Sequence, residues 1–350
     1  MTEAWDAVRA TGPALAFLLA GVPLAALLDR LGFFAAAADA LQHRFPDLPV
    51  LALWVLAAGT TAVLNLDTTI VLLTPLYVRL ARRAGEDPLP LALIPLLLAA
   101  FASSILPVSN LTTLIAADRL DLGVGDVVRH LALPSLVAVM VGWLAYRRHH
   151  PTRIHAGPTD PVDRRALAVG GVVVVALLVA FTAGPSVGIE PWMAALAADL
   201  VLVVVVRFVP WRDLPVGTAV GVAVLAGVVA VVVGPSLLHA VLRATNPFAV
   251  GGTTVVAAAA ANVVNNIPAT LVAVDGTRHA TPGLWAWLLG VNVGAVLLPM
   301  GALANILWRR IVTDEGIRVS WRDHVRAVWP IAMPALLAAA TVHAVLAWAT

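Results

Sequence analysis

Two strongly apolar stretches of this chain are each interrupted by a short polar run, and the two runs use the same residue types. The first run is Asn-Leu-Asp-Thr-Thr at 65–69, and a second interruption follows at 106–113. Later in the chain, the asparagine-rich run 262–270 is followed in the same way by 298–305. Backbone polar groups at membrane depth must be paired unless they line a protein-enclosed or watery cavity. Paired interruptions of this kind are typical of the broken helices of secondary transporters.

The composition is that of a membrane protein, with 61% hydrophobic and 12% charged residues and a mean hydropathy of +0.93. Apolar runs of about 20 residues, the length of a membrane-crossing helix, recur along it. We therefore predict an all-α polytopic protein of the cell (inner) membrane with about eight full spans. The predicted spans are 11–29, 90–116, 131–147, 166–184, 189–206, 214–234, 282–308 and 329–348.

Several function classes are disfavoured by the same sequence. Without cysteine there is no disulfide and no thiolate metal site. We find no phosphate-binding glycine loop and no serine–histidine–acid arrangement, so we expect neither an enzyme nor a metal site. The arginines lie at span ends, where they act as topology signals rather than as a nucleic-acid surface. The only cofactor expected is a coupling ion, proton or sodium.

The apolar stretches 48–80 and 248–275 do not fit single helices and are predicted to form re-entrant hairpins. The arginine-rich segment 148–165 is predicted to be a cytoplasmic linker, which places the amino terminus outside. Four arginines are exceptions to this charge rule: Arg119, Arg129, Arg243 and Arg278. The resulting domains are two inverted repeats, 1–147 with hairpin 48–80 and broken span 90–116, and 166–350 with hairpin 248–275 and broken span 282–308.

The candidate site residues of the first repeat are the polar groups of its two interruptions. Asp67 is the leading candidate for coupling, because an ionised carboxylate inside a membrane is costly unless it is paired, hydrated or protonated. The alternative is a structural acid bonded to its own hairpin, and helix capping is the alternative for the others. The candidates are Asn65, Asp67, Thr68, Thr69, Ser109, Asn110, Thr112 and Thr113.

The second repeat supplies uncharged candidates, which suit a neutral or weakly charged polar solute. Asparagine also joins helices in membranes, so a packing role is the alternative. Asp199 stands alone in the span 189–206 and is a second coupling candidate, unless it pairs with another span. The remaining candidates are Asn265, Asn266, Thr270, Asn292 and Asn305.

Several motifs resemble the ion transporter superfamily, and within it the arsenite/antimonite efflux permeases (ArsB), which have a citrate-transporter-like domain. Five segments carry the resemblance over most of the chain: Asp67 eight residues before Pro75, Val-Ser-Asn-Leu at 108–111, Ala-Ala-Asp at 116–118, Asn-Asn-Ile-Pro at 265–268, and 299–308. The chain departs from that family in three respects. Leu66 replaces the family's asparagine, Asn292 stands where those permeases typically carry an acid, and the first repeat lacks the helix pair that matches 166–206.

The resemblance implies proton-coupled efflux of arsenite or antimonite. Arsenite is mostly a neutral trihydroxide near neutral pH, which hydroxyl and amide groups suit. Three alternatives stay open: a sodium-coupled carboxylate or oxyanion symporter, a sodium/proton antiporter, and a non-transporting scaffold. The expected partners are a small inorganic or organic solute and the lipid bilayer, not nucleic acid, with a homodimer and an ATPase partner left open.

Overall fold

A computed structural model describes residues 2–63, 65–155, 161–211, 214–232, 238–277 and 279–349. The described chain is built of helices and one short two-stranded sheet. The helices are α1 (Thr2–Arg30), α2 (Phe33–Arg44), α3 (Val50–Val63), α4 (Leu66–Arg83), α5 (Pro88–Phe101), α6 (Leu111–Leu120), α7 (Val124–Val127), α8 (Leu133–His149), α9 (Arg164–Ala183), α10 (Pro191–Val206), α11 (Val216–Val232), α12 (His239–Leu242), α13 (Pro247–Val264), α14 (Asn266–Asp275), α15 (Pro282–Val293), α16 (Leu303–Asp314) and α17 (Trp321–Ala349). The strands are β1 (Asp47–Pro49) and β2 (Arg153–His155).

The prediction of an all-α polytopic membrane protein is confirmed. Among the described residues, five helices are long and apolar enough to cross a membrane, and several apolar helices are shorter. The five lie at Thr11–Arg30, Val124–His149, Arg164–Phe181, Pro247–Val264 and Trp321–Trp348. One of them, α13, lies in the stretch predicted as a hairpin arm. It has 18 residues, so its length alone does not distinguish an arm from a span.

Both stretches predicted as hairpins are interrupted where the sequence places the polar runs. The stretch 48–80 becomes α3 and α4, which separate just before Leu66. The stretch 248–275 becomes α13 and α14, which separate at Asn265. Both broken spans are interrupted as well, because a short 3-10 turn, Pro107–Ser109 or Gly294–Leu297, divides each into two helices. The division of the chain into inverted repeats stays a prediction, although each half has this same order of elements.

The small sheet was not predicted, and it connects the linker to the first hairpin. Strand β1 directly precedes α3, and it pairs antiparallel with β2, with Leu48 opposite Ile154. Strand β2 lies in the predicted cytoplasmic linker 148–165. The open end of the first hairpin and the linker are therefore on the same face of the molecule.

The hydrophobic core surrounds the interrupted helices. Helix α5 packs against α3 and α4, and α15 packs against α13 and α17. By contrast, α9, α10 and α11 expose rows of valine, among them Val172, Val204 and Val224. Such an apolar exterior is expected of helices that face lipid.

Candidate functional site

The first tip is the turn between α3 and α4, and polar side chains of the predicted set hold it. Asn65 caps α4, with its side-chain oxygen accepting a hydrogen bond from the Thr68 amide at 2.7 Å. The hydroxyl of Thr69 lies 2.8 Å from that of Thr61 on α3, which ties the two arms together. Asn65 and Thr69 therefore have structural roles in shaping the turn, consistent with the strong preference for asparagine at helix caps.

Asp67 and Thr68 differ from these neighbours because their side chains are not used by the turn. Asp67 is partly buried in the first turn of α4, and no residue in the described ranges pairs with its carboxylate. The buried hydroxyl of Thr68 also lacks a partner in the described structure. A carboxylate is favourable near the positive end of a helix dipole. Neither side chain is therefore occupied by a hydrogen bond within the described structure, and the Asp67 carboxylate can bind a proton.

The first broken span is interrupted next to this tip. After α5 ends at Phe101, the 3-10 turn leads into α6, which Asn110 caps by accepting a hydrogen bond from the Thr112 amide at 3.1 Å. The hydroxyl of Ser109 donates to the backbone oxygen of Ala62, at the end of α3, over 2.6 Å. The interruption and the tip are thus joined directly.

Asn292, near the end of α15, connects this interruption to the second half of the chain. Its oxygen accepts hydrogen bonds from Asn110 at 3.1 Å and Thr112 at 2.6 Å. Its amide donates to the hydroxyls of Ser104 at 2.8 Å and Thr113 at 3.1 Å. The side chain is 1% exposed, and its two donors and two acceptor positions are filled. The group formed by these five residues is called the Asn292 clamp below.

The second tip is the turn between α13 and α14, and its backbone is strained. Asn265 has φ +74° and ψ 151°, a region that is nearly restricted to glycine and costs about 1–3 kcal/mol for another residue. Two contacts hold it there: the Asn265 side chain donates to the Met300 carbonyl at 2.9 Å, and the Asn266 amide donates to the Gly301 carbonyl at 2.9 Å. The Asn266 side-chain oxygen is buried without a partner in the described chain, whereas Thr270 donates locally to the Asn266 carbonyl.

Two asparagines hydrogen-bond the backbone at the interruption of the second broken span. Asn262, which was not among the predicted site residues, accepts a hydrogen bond from the Leu298 amide at 2.7 Å and donates to the Gly294 carbonyl at 2.8 Å. Asn305 donates to the carbonyls of Ala295 and Leu298 at 2.8 and 2.9 Å. Both side chains therefore replace hydrogen bonds that a continuous helix would have made. Asn262 is the first residue of the asparagine-rich run that contains Asn265 and Asn266, so its position in that run could have marked it as a candidate site residue.

Helices of the two halves pack against each other in a reciprocal way. Helix α4 of the first hairpin packs against α16, and α14 of the second hairpin packs against α6. Arg82 pairs with Glu315 at 2.7 Å just after α16, and Arg119 pairs with Asp275 at 2.9 Å. Since each ion pair joins carboxyl-terminal ends of helices that lie side by side, the helices within each pair run parallel.

Helix geometry then places the amino-terminal ends together. At about 1.5 Å per residue, α6 and α14 extend about 12 and 14 Å back from their ion pair, and α4 and α16 about 24 and 18 Å from theirs, so the two members of each pair start on the same side. Hydrogen bonds made by Ser109, Asn110, Asn262 and Asn265, joined by stretches of one to three residues of backbone, connect the first tip to the second through Asn292. Four helix starts, each with a partial positive charge, thus adjoin one buried polar region.

A cavity of about 410 Å³ lies between the second half of α1, the middle of α4 and the carboxyl-terminal end of α16. Asp29, Arg30, Pro75 and Glu315 contribute to its lining. Burial raises the pKa of Glu315, while the nearby Arg79, 3.5 Å away, opposes this shift. The cavity lies along α4, on the side of Asp67 that faces the predicted cytoplasm.

Asp199 is not part of the polar region just described. It is 7% exposed on α10, which packs against α1 and α9, and one carboxylate oxygen has no partner in the described chain. Its role in coupling stays a prediction. Within the described ranges, no group of three or more histidine and carboxylate side chains lies close enough to hold a metal ion.

A polytopic helical fold whose interrupted helices meet at a polar region with an unpaired carboxylate defines a membrane transporter. The chain belongs to the CitMHS family, described as citrate transporter, whose model matches residues 2–290. It is 25% identical over 368 residues to the arsenical pump membrane protein of Escherichia coli (strain K12), covering 92% of this chain and 84% of that protein. The protein of the same name from Yersinia enterocolitica is 25% identical with the same coverage. An uncharacterized transporter of Mycobacterium tuberculosis (strain H37Rv) is 26% identical over 359 residues, or 92% of this chain and 81% of that protein.

Proposed function

We propose that this transporter exports arsenite or antimonite across the cytoplasmic membrane in exchange for protons, with Asp67 as the proton-coupling residue. The observation that carries the proposal is the unpaired carboxylate of Asp67 at the first tip, beside the starts of the interrupted helices. A carboxylate at that depth costs less once it is protonated or neutralised by a bound group. Its protonation state therefore changes the free energy of the region that binds the solute.

The substrate part of the proposal rests on the chemistry of the polar region and on the relatives. Two buried groups of the tips lack a partner in the described chain, the Thr68 hydroxyl of the first tip and the Asn266 side-chain oxygen of the second, and such groups can hydrogen-bond neutral hydroxyl groups. No described arginine lies in either tip or either interruption. Because arsenite as a trihydroxide is neutral, it can bind to such a surface without an arginine to neutralise a charge. Several relatives carry the printed name arsenical pump membrane protein.

Arsenite accumulation in everted membrane vesicles tests this function. Vesicles containing the wild-type protein should accumulate arsenite when the interior is acidified, and Asp67→Asn should abolish that accumulation because position 67 no longer binds and releases a proton. Asp118→Asn is the matched control, since Asp118 is exposed on α6. Full proton-driven accumulation by Asp67→Asn would remove this residue from the coupling mechanism.

A carboxylate carrier is the second candidate, and the family description favours it. Its anionic substrate would have to rely on the partial positive charges of the four helix starts. Sodium-dependent citrate uptake into right-side-out vesicles, with no arsenite movement in the everted ones, would identify this function. Proton release on adding sodium, without movement of either solute, would instead identify the sodium/proton antiporter. A homodimer and an ATPase partner stay predictions for all of these functions.

A further inference from the structure

A small cavity lies beside the amino-terminal end of α8, the end farther from the linker 148–165. Arg129, one of the four arginines that violate the charge rule, borders it. This cavity measures about 210 Å³ and lies between the segment before α8, the start of α15 and the end of α17. Arg129 and His130 lie in a π-helical segment, Val128–Ala132, that interrupts the path from α7 to α8. Such segments occur frequently at functional sites.

Two observations indicate that the cavity is built to hold a polar group. His343 of α17 lines it and is 2% exposed, and its Nδ1 has no partner in the described chain. The His130 ring stacks on the Trp285 indole with centroids 4.5 Å apart and planes 3° apart. The His130 Nδ1 also lies 2.8 Å from the Asp126 carbonyl, to which it donates. Both imidazoles are therefore held in place by surrounding groups.

The electrostatics favour a negatively charged occupant. Arg129 is exposed and forms no ion pair or hydrogen bond with any described residue. Among the described residues that line the cavity, none is acidic. The start of α15, a helix of 12 residues, adds a partial positive charge at Pro282. Arginine pairs with phosphate groups, as it does with carboxylates, through two parallel hydrogen bonds.

The acceptors in the cavity restrict the occupant further. In the neutral tautomer with its proton on Nε2, which faces the Pro282 carbonyl at 3.5 Å, the His343 ring has Nδ1 as an acceptor. Leu346 and Ala347 contribute an apolar wall near the end of α17. The favoured occupant thus combines a phosphate, a hydroxyl donor and an adjoining apolar part.

We infer that this cavity binds a phosphoglycerol group, with Arg129 on the phosphate and His343 Nδ1 accepting a hydrogen bond from a glycerol hydroxyl. This group has two sources, the headgroup of phosphatidylglycerol and free glycerol phosphate. The apolar wall beside the cavity favours the lipid. The site is separate from the tips and does not depend on which solute is transported.

The experiment uses the full chain purified in detergent and freed of lipid, and it measures dissociation constants from ligand-dependent shifts in the unfolding midpoint. The probes are short-chain phosphatidylglycerol, sn-glycerol 3-phosphate and short-chain phosphatidylcholine, which has a phosphate but no hydroxyl. Phosphatidylglycerol should bind wild-type protein more tightly than phosphatidylcholine does. Arg129→Gln should weaken phosphatidylglycerol binding by about tenfold or more, because a charged hydrogen-bonding partner is removed.

Arg119→Gln is the matched control, because it removes an arginine from the same face but outside the cavity. His343→Gln is the second variant and should weaken phosphatidylglycerol binding without changing that of phosphatidylcholine. Stabilisation by both phosphoglycerol probes assigns the site to the phosphoglycerol group itself, and stabilisation by phosphatidylglycerol alone assigns it to the lipid. Equal binding of the two lipids by wild-type protein, or unchanged phosphatidylglycerol binding by Arg129→Gln, would overturn the inference.

Discussion

Removing the Asn292 side chain should destabilise the protein more than removing a comparable buried asparagine. The variant Asn292→Ala deletes four hydrogen bonds that join the two halves of the chain. At the average of about 0.6 kcal/mol measured for a hydrogen bond inside a membrane protein, these contribute about 2.4 kcal/mol. Ser104 and Thr113 also lose the bonds from the Asn292 amide and remain buried, which adds to the cost.

The matched control for this prediction is Asn266→Ala. Asn266 is also buried, at 5% exposure, but its side-chain oxygen has no partner in the described chain, so we expect a loss of less than about 1 kcal/mol. The measurement is the free energy of unfolding in mixed detergent and dodecyl sulfate micelles. Equal losses for Asn292→Ala and Asn266→Ala would refute the role assigned to the clamp.

Two further predictions concern other contacts of the fold. Gly290→Ala should lower stability by about 1–3 kcal/mol, because a β-carbon there would lie 2.2 Å from the Thr254 carbonyl oxygen. The control Gly59→Ala has open space around it and should be neutral or stabilising. Thermal unfolding in detergent measures both variants, and equal unfolding midpoints would contradict the close helix contact at Gly290. Burial raises the pKa of Glu315, so the stability it contributes is fully present below the ordinary glutamate pKa and is lost as the pH rises through the raised value. Glu315→Gln should therefore unfold with less dependence on pH than wild type as the pH rises above the ordinary glutamate pKa. Identical pH profiles would show that this carboxylate does not titrate differently on folding.

Local sequence signals predicted the interruptions of the helices well. Proline and asparagine at the breaks disfavour a continuous helical ladder, and asparagine is among the best helix caps. In the structure, α4, α6 and α14 accordingly begin directly after Asn65, Asn110 and Asn265. Hydropathy and the lengths of the apolar runs were sufficient for the class of fold.

The sequence did not predict which polar side chains would find hydrogen-bond partners in the folded protein and which would not. Asn292 and Asn266 are both buried asparagines in the second half, and their sequence surroundings gave both as candidates for solute binding. Tertiary packing instead places Asn292 among four hydrogen-bonding partners and leaves the Asn266 oxygen with none in the described structure. The small sheet also depends on distant partners, because β1 and β2 are too short to be read from periodicity.

The sequence by itself determined that this chain is a polytopic membrane protein, where its helices break, and which residue types gather at the breaks. These properties depend on local backbone preferences and on the cost of exposing apolar groups to water. Only the tertiary structure decided that α4 lies beside α16 and α6 beside α14, and that the Asp67 carboxylate remains unpaired among the described residues while Asn292 is fully bonded. A buried polar group is stabilised by whichever partners the folded chain brings within hydrogen-bond distance, and for Asn292 those partners are 179–188 residues away in sequence.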